Sequence, residues 1–326
     1  LGEHGLRVAA FELVERTPLP VWRDYLTFHA VRNNAGLLSR EIDNAEFSFT
    51  GVILDGQKVQ SEDWKRAVDE ITGAYRNGLK DAMGRMYAER YFPAESKIAV
   101  QSMVENLRGA FRDNIAKIDW MSDQTKTEAF RKLSSFRAKI GYPNTWRDYS
   151  SIRIVPDDLV ANTLQMRRYY REYQIAHFNA PRNPDNWMMT PQTVDAYYSK
   201  SANEIVFPAG ELQPPYFDPY ADAAVNYGGL GGIIGHEMGH GFDSQGSKWD
   251  ANGRQRNWWK DADRVRFDQR TQALKAQYDQ FCPLPDTCVN GAMTLPENIS
   301  DLTGLSVAYT AYHNSLGGKP APVIDG

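Results

Sequence analysis

Gly228-Gly229-Leu230-Gly231-Gly232-Ile233-Ile234-Gly235-His236-Glu237-Met238-Gly239-His240-Gly241 decides how this chain is read. It contains H-E-x-x-H, and on a helix residues four apart lie on one face about one turn apart, so His236 and His240 can offer both imidazoles to one ion. Glu237, beside the first ligand, reaches a water at the metal without ligating the metal itself, which suits a general base. Seven glycines lie in this stretch, and each costs roughly 0.5–1 kcal/mol in a helix interior relative to Ala. So many imply close backbone packing, or metal binding that offsets the loss. A flexible loop is the alternative, and Ile233, Ile234 and Met238 threaded through it argue against that. An isolated H-E-x-x-H also arises on ordinary helices, with its histidines at the surface or in caps.

A catalytic zinc needs a third protein ligand and an open fourth position. Glu297-Asn298-Ile299-Ser300-Asp301 supplies the candidate. Glu297 and Asp301 are again four apart, so Glu297 can complete the site while Asp301 accepts the free ring N–H of a ligating histidine.

Outward from the motif, the first half of the chain reads as helices. Over residues 61–92, Trp64, Val68, Ile71, Tyr75, Leu79 and Met86 recur at helical spacing, which predicts one long amphipathic helix stopped by Pro93. Val100, Val104, Leu107, Phe111 and Ile115 predict a second, and Leu159, Met166, Tyr170 and Tyr173 a third over residues 157–173. Near residue 180 the character changes: Pro181, Pro184 and Pro191 interrupt the helical pattern, and residues 194–198 and 205–207 read as short strands. The expected fold class is mainly α with a small β-sheet (α+β), a helical domain over 1–178 and a smaller mixed domain over 179–326.

At 326 residues the chain suits two domains. A formal charge of -4 gives no basic footprint, so nucleic acid is not an expected partner. No run of about 18–20 apolar residues is present to cross a bilayer, and the opening Leu1-Gly2-Glu3-His4-Gly5 does not read as a signal peptide. The abrupt ends lead us to expect a fragment lacking both termini. Cys282 and Cys288 flank turn residues and are placed for a small disulfide, which would imply an oxidising compartment; two free thiols are the alternative.

Val194-Asp195-Ala196-Tyr197-Tyr198, Asn203-Glu204-Ile205-Val206-Phe207-Pro208-Ala209-Gly210, Leu212-Gln213-Pro214-Pro215 and Asn226-Tyr227-Gly228-Gly229 precede His236, and Glu297-Asn298-Ile299-Ser300-Asp301 follows it. On these blocks, in family order, the chain resembles the neprilysin-like M13 family of zinc metallopeptidases, the gluzincins, as a bacterial member. The resemblance implies one Zn2+ on His236, His240 and Glu297, Glu237 as base and proton carrier, and Asp301 orienting a histidine. It further implies a large helical lobe covering an active-site chamber above a thermolysin-like catalytic lobe. The implied activity is an endopeptidase acting on oligopeptides at the amino side of apolar residues. The family's habit, with the cysteine pair, implies a setting outside the cytoplasm, periplasmic or secreted.

Three departures qualify the resemblance. Where the family has Asn-Ala for holding the substrate backbone, this chain has Asp195-Ala196, and a carboxylate accepts but does not donate. Glu211 stands at a position usually apolar, near the primed-side specificity pocket with Tyr216, Phe217 and Ile233. If it faces that pocket it would admit a basic or polar substrate residue; a solvent-facing glutamate is the alternative. The family's transition-state histidine and substrate-binding arginine fall beyond residue 326, so either a C-terminal remainder of the same protein is expected as a second chain or the chain is a truncated product, poorly active on its own. Two rival readings stand: a zinc protein that captures peptides without turnover, which Glu237 argues against, and a metal-free scaffold.

Overall fold

The computed structural model describes residues 3–72 and 78–323. In chain order its helices are α1 (Glu3–Arg16), α2 (Leu19–Arg32), α3 (Arg40–Phe47), α4 (Asp63–Thr72), α5 (Lys80–Tyr91), α6 (Ala94–Lys117) and α7 (Asp123–Ser134). Strand β1 (Arg137–Gly141) and α8 (Leu159–Ala176) precede β2 (Tyr197–Ser199) and β3 (Glu204–Pro208), and α9 (Ala223–Asn226), α10 (Gly232–Gly239), α11 (Asp261–Tyr278) and α12 (Gly291–Ser315) follow. The fold is thus mainly α with one small sheet. Two compact units result: Leu1–Leu79 with Asp148–Ala180, and Lys80–Arg147 with Pro181–Gly326.

The second unit holds the main core. Helix α6 buries Val100, Val104, Leu107, Phe111 and Ile115, the stripe read from the sequence. These side chains join Ile140 of β1, Ile205 and Phe207 of β3, Leu230, Ile234 and Met238 around α10, and Val307 and Ala311 of α12 in one apolar cluster. The sheet runs β1-β3-β2, with β1 parallel and β2 antiparallel to the central strand. All five residues of β3 are buried, which is what a central strand covered on both faces requires. Glu204 pairs in register with Arg137. Its carboxylate is held by Arg137 (2.7 Å), Lys139 (2.9 Å) and Arg182 (2.8 Å). Burial alone would raise its pKa, but these partners outweigh burial and hold it below the ordinary carboxylate range.

The first unit has little core of its own. Helices α2, α3 and α4 bury no residue, whereas α8 buries Thr163, Met166 and Tyr170. Polar ties carry much of the order: Arg66 to Asp43 (2.8 Å) and Arg167 to Asn34 (2.6 Å).

The structure departs from the sequence reading in three places. The single helix expected over residues 61–92 is two helices, α4 and α5, in different units. The chain doubles back at Gly78, where a Cβ would lie 2.5 Å from the carbonyl oxygens of Glu70 and Ile71; Trp64, Val68 and Ile71 stay exposed, and Tyr75 lies outside the described residues. Strand β1 was not foreseen. Finally, residues 80–147, expected with the helical domain ending at 178, pack with residues 181–326 because α6, α7 and β1 complete the core beneath the metal motif.

Candidate active site

The peptide from Asp222 enters a run of helical turns: α9, capped by the Asp222 side chain on Ala224 N–H, a wider turn over Tyr227–Gly231, then α10. Helix α12 begins with Asn290 capping Ala292 and Met293. Where α10 and α12 cross, glycine faces glycine. A Cβ on Gly235 would sit 2.8 Å from Gly304 Cα, and one on Gly304 would lie 2.5 Å from Gly232 O and 2.7 Å from His236 N. The glycines therefore allow backbone-to-backbone contact, and that contact sets Glu297 and Asp301 opposite the two histidines.

His236 Nε2 and His240 Nε2 lie 3.4 and 3.3 Å from Glu297 Oε2. Each of the three residues offers one donor atom, all within 4.8 Å of one another. A tetrahedron with ligand-to-zinc distances of about 2.0–2.2 Å has edges of roughly 3.3–3.5 Å, so the donor set fits a zinc ion. The remote ring nitrogens are also engaged. His236 Nδ1 bonds Asp301 Oδ1 at 2.8 Å, and His240 Nδ1 bonds Asp243 Oδ2 at 2.7 Å and Ser300 Oγ at 3.1 Å. A proton on each Nδ1, donated to carboxylate, leaves each Nε2 lone pair aimed at the common point. Glu237 is 7% exposed, and its Oε2 is buried without a hydrogen-bond partner. Burial above all pushes its carboxyl up, to about 7; His240 opposes the shift, and Asp195, Glu297 and Glu211 add to it.

A cleft of ≈ 520 Å³ opens beside these groups, lined among others by Asp195, Ala196, Glu211, Tyr216 and Ile233 together with His236 and Glu237. Phe217, expected on this wall, is instead buried in the apolar core at 3% exposure. Its neighbour Tyr216 takes the cleft side, because Gly229 lets the backbone of residue 216 pass at 2.7 Å from where a Cβ would stand. One oxygen of Asp195 accepts from the N–H of Ala196 at 2.8 Å. Asp195 and Ala196 immediately precede β2, an edge strand.

Two residues of the site escaped the sequence reading. Asp243, 1% exposed, turns the chain after His240 by accepting from Gln245 and Gly246 N–H while holding the imidazole. Its spacing of three from His240 is the signal that could have found it. Lys132 on α7, 1% exposed, donates to the carbonyls of Gly241, Gly246 and Trp249. Nothing local marks it.

The model of peptidase family M13 matches residues 195–326, which carry His236, Glu237, His240 and Glu297, and the family's N-terminal model matches residues 8–143. The chain belongs to peptidase family M13. Among curated M13 relatives, mouse (Mus musculus) endothelin-converting enzyme 1 is 32% identical over 309 residues, covering 93% of this chain and 40% of that protein. Neprilysin-3 of Drosophila melanogaster is 33% identical over 310 residues, 92% of this chain and 38% of that protein. The Mycobacterium tuberculosis zinc metalloprotease Zmp1, solved with an inhibitor, superposes with a TM-score of 0.85 at 44% identity over 98% of this chain and 48% of that one. PepO from Lactobacillus rhamnosis gives 0.80 at 32% identity over 92% and 46%. The chain spans about two fifths of the length of these curated relatives. Both M13 matches together cover residues in each compact unit.

Proposed function

We propose that this chain is the metal-binding part of a zinc metalloendopeptidase that hydrolyses oligopeptides. The observation that carries the reading is the approach of Glu297 to His236 and His240, at 3.4 and 3.3 Å, beside the buried, unbonded oxygen of Glu237. Zinc, when bound, would supply Lewis acidity, acidifying a water and polarising the scissile carbonyl. Glu237 takes the proton from that water and returns it to the leaving amine. Asp301 and Asp243 hold the imidazoles in one tautomer and orientation. Asp195 and Ala196 border the cleft at the start of the edge strand, where an extended peptide aligns its backbone. Ile233, Tyr216 and Leu305 give the wall that favours cleavage at the amino side of apolar residues.

A further segment of the protein, present as a second chain, completes oxyanion support; the partial coverage of the relatives is its support. The Cys282–Cys288 disulfide favours an extracytoplasmic setting, periplasmic or secreted. No helix among the described residues is long and apolar enough to cross a membrane.

Elemental analysis of the purified protein tests the centre. About one zinc per molecule is expected, and Glu237→Gln should keep the zinc while losing hydrolysis of oligopeptides. Protein never exposed to chelator yet free of zinc overturns the reading.

A further inference from the structure

Two buried carboxylates of the second unit are treated in opposite ways. Glu204, 2% exposed, is surrounded by three cations. Glu211, 6% exposed, has its backbone fixed by an N–H bond to Pro208 O at 3.1 Å, but no donor and no cation among the described residues meets its carboxylate. Unlike Glu237 Oε2, its carboxylate oxygens are not sealed off, so what can meet them is solvent or a ligand in the cleft. Glu211 lines the cleft beside His236 and Glu237, and among the described residues no Lys or Arg lines that cleft. Asp195 lines it too and adds negative charge: burial first, and then Asp195, push the Glu211 carboxyl up to about 7. The rest of the wall is apolar where a side-chain stem would run, at Val194, Tyr216, Ile233 and Leu305.

Resting on the proposed peptidase reading, we infer that Glu211, with Asp195, is a specificity-determining residue that selects substrates bearing lysine or arginine beside the scissile bond. Such a side chain lays its methylenes on Ile233, Leu305 and Tyr216 and carries its charged head to Glu211. The wall thus takes an apolar stem with a cationic end, and the head supplies the charge-assisted hydrogen bond that the carboxylate lacks within the fold. This puts the preference on a cationic end carried by an apolar stem, in place of the purely apolar residue that the wall alone would favour.

The test uses the full chain, zinc-loaded, together with any polypeptide that copurifies. A peptide of fixed sequence is changed to Leu, Lys, Arg or Glu at each of the two residues flanking the cut, and kcat/KM is measured for wild type, Glu211→Gln, Glu211→Leu and Asp195→Asn. Binding of the same peptides to Glu237→Gln, read by fluorescence anisotropy, gives a second readout independent of turnover. Lys or Arg at one of the two positions should exceed Leu by about 10- to 100-fold in wild type, as one hydrogen bond to a charged group would give. Glu211→Gln, nearly isosteric, should bring that ratio within about twofold, Glu211→Leu should reverse it, and Asp195→Asn should lower it partway. A wild type that prefers Leu, with the ratio unmoved by Glu211→Gln in both readouts, overturns the inference. Zinc-loaded protein that neither cuts nor binds any member of the series overturns the peptidase reading on which the inference rests.

Discussion

Asp301 and Asp243 make the same kind of bond to their histidines but in different settings, and the difference is testable. Asp301 is two-thirds exposed and does little besides hold His236. Asp301→Ala should weaken zinc by about 10- to 100-fold, read by chelator competition, with the melting temperature of the metal-free protein unchanged. Asp243→Ala should weaken zinc and also lower that melting temperature, because Gln245 and Gly246 N–H lose their acceptor. Lys132 presents a charge inside the same turn. Burial pushes its pKa down to about 7, against the pull of Asp243 and Asp250. Between that value and the ordinary lysine range near about 10.4, the unfolded chain keeps a proton that the folded chain has released, so stability rises with pH across the window. Lys132→Met should abolish that slope in denaturant titrations at pH 7 and 9. It should also cost about 3 kcal/mol by leaving three carbonyls without a donor. His236, Glu237, His240, Glu297 and Asp301 were legible in the sequence because helical spacing of four is a local rule. Lys132 was not, since its partners lie more than a hundred residues downstream.

Helices α10 and α12 position the donors through contact of their backbones, so the fold tolerates no side chain at the crossing. Gly304→Ala drives a methyl into Gly232 O and His236 N. It should cost about 1–3 kcal/mol in unfolding free energy, with a parallel loss of zinc as Glu297 shifts away from the histidines. In the sheet, the cations around Glu204 tie β1, β3 and the chain at Arg182 together. Since its folded pKa is depressed, the stability it gives is present above about pH 4.3 and is lost as pH falls through the folded value. Glu204→Gln should therefore cost about 3 kcal/mol at neutral pH, and the gap between variant and wild type should close in acid unfolding curves. The sequence announced β2 and β3 by their β-branched and aromatic runs. It hid β1, where Arg137 and Lys139 alternate with small and apolar residues, because the carboxylate that neutralises them arrives 67 and 65 residues later in the chain. The long helix read over residues 61–92 failed for a related reason: periodicity continues across Gly78, but the close return of the backbone there does not show in any local pattern.

For the whole molecule, the decisive fact is that the unit carrying the candidate metal site is made from two stretches of chain, Lys80–Arg147 and Pro181–Gly326. Calorimetry should resolve two transitions. Chelation should lower only the one belonging to that unit, since a ligand stabilises what it binds in proportion to its occupancy; a single transition that shifts as a whole would contradict this. A boundary near residue 178 could be read from the prolines that follow, but the sequence offered no sign that residues 80–147 belong with the later segment, because their partner surfaces are all downstream. This split has a consequence at the ribosome. A nascent chain exposes β1 and the apolar stripe of α6 long before β3 exists to pair with them, and it holds both histidines without their third ligand until α12 has emerged. Metal capture at this candidate site is thereby deferred until α12 has emerged, and a polypeptide cut short before residue 297 would leave the exit tunnel with its core begun and the two histidines without Glu297.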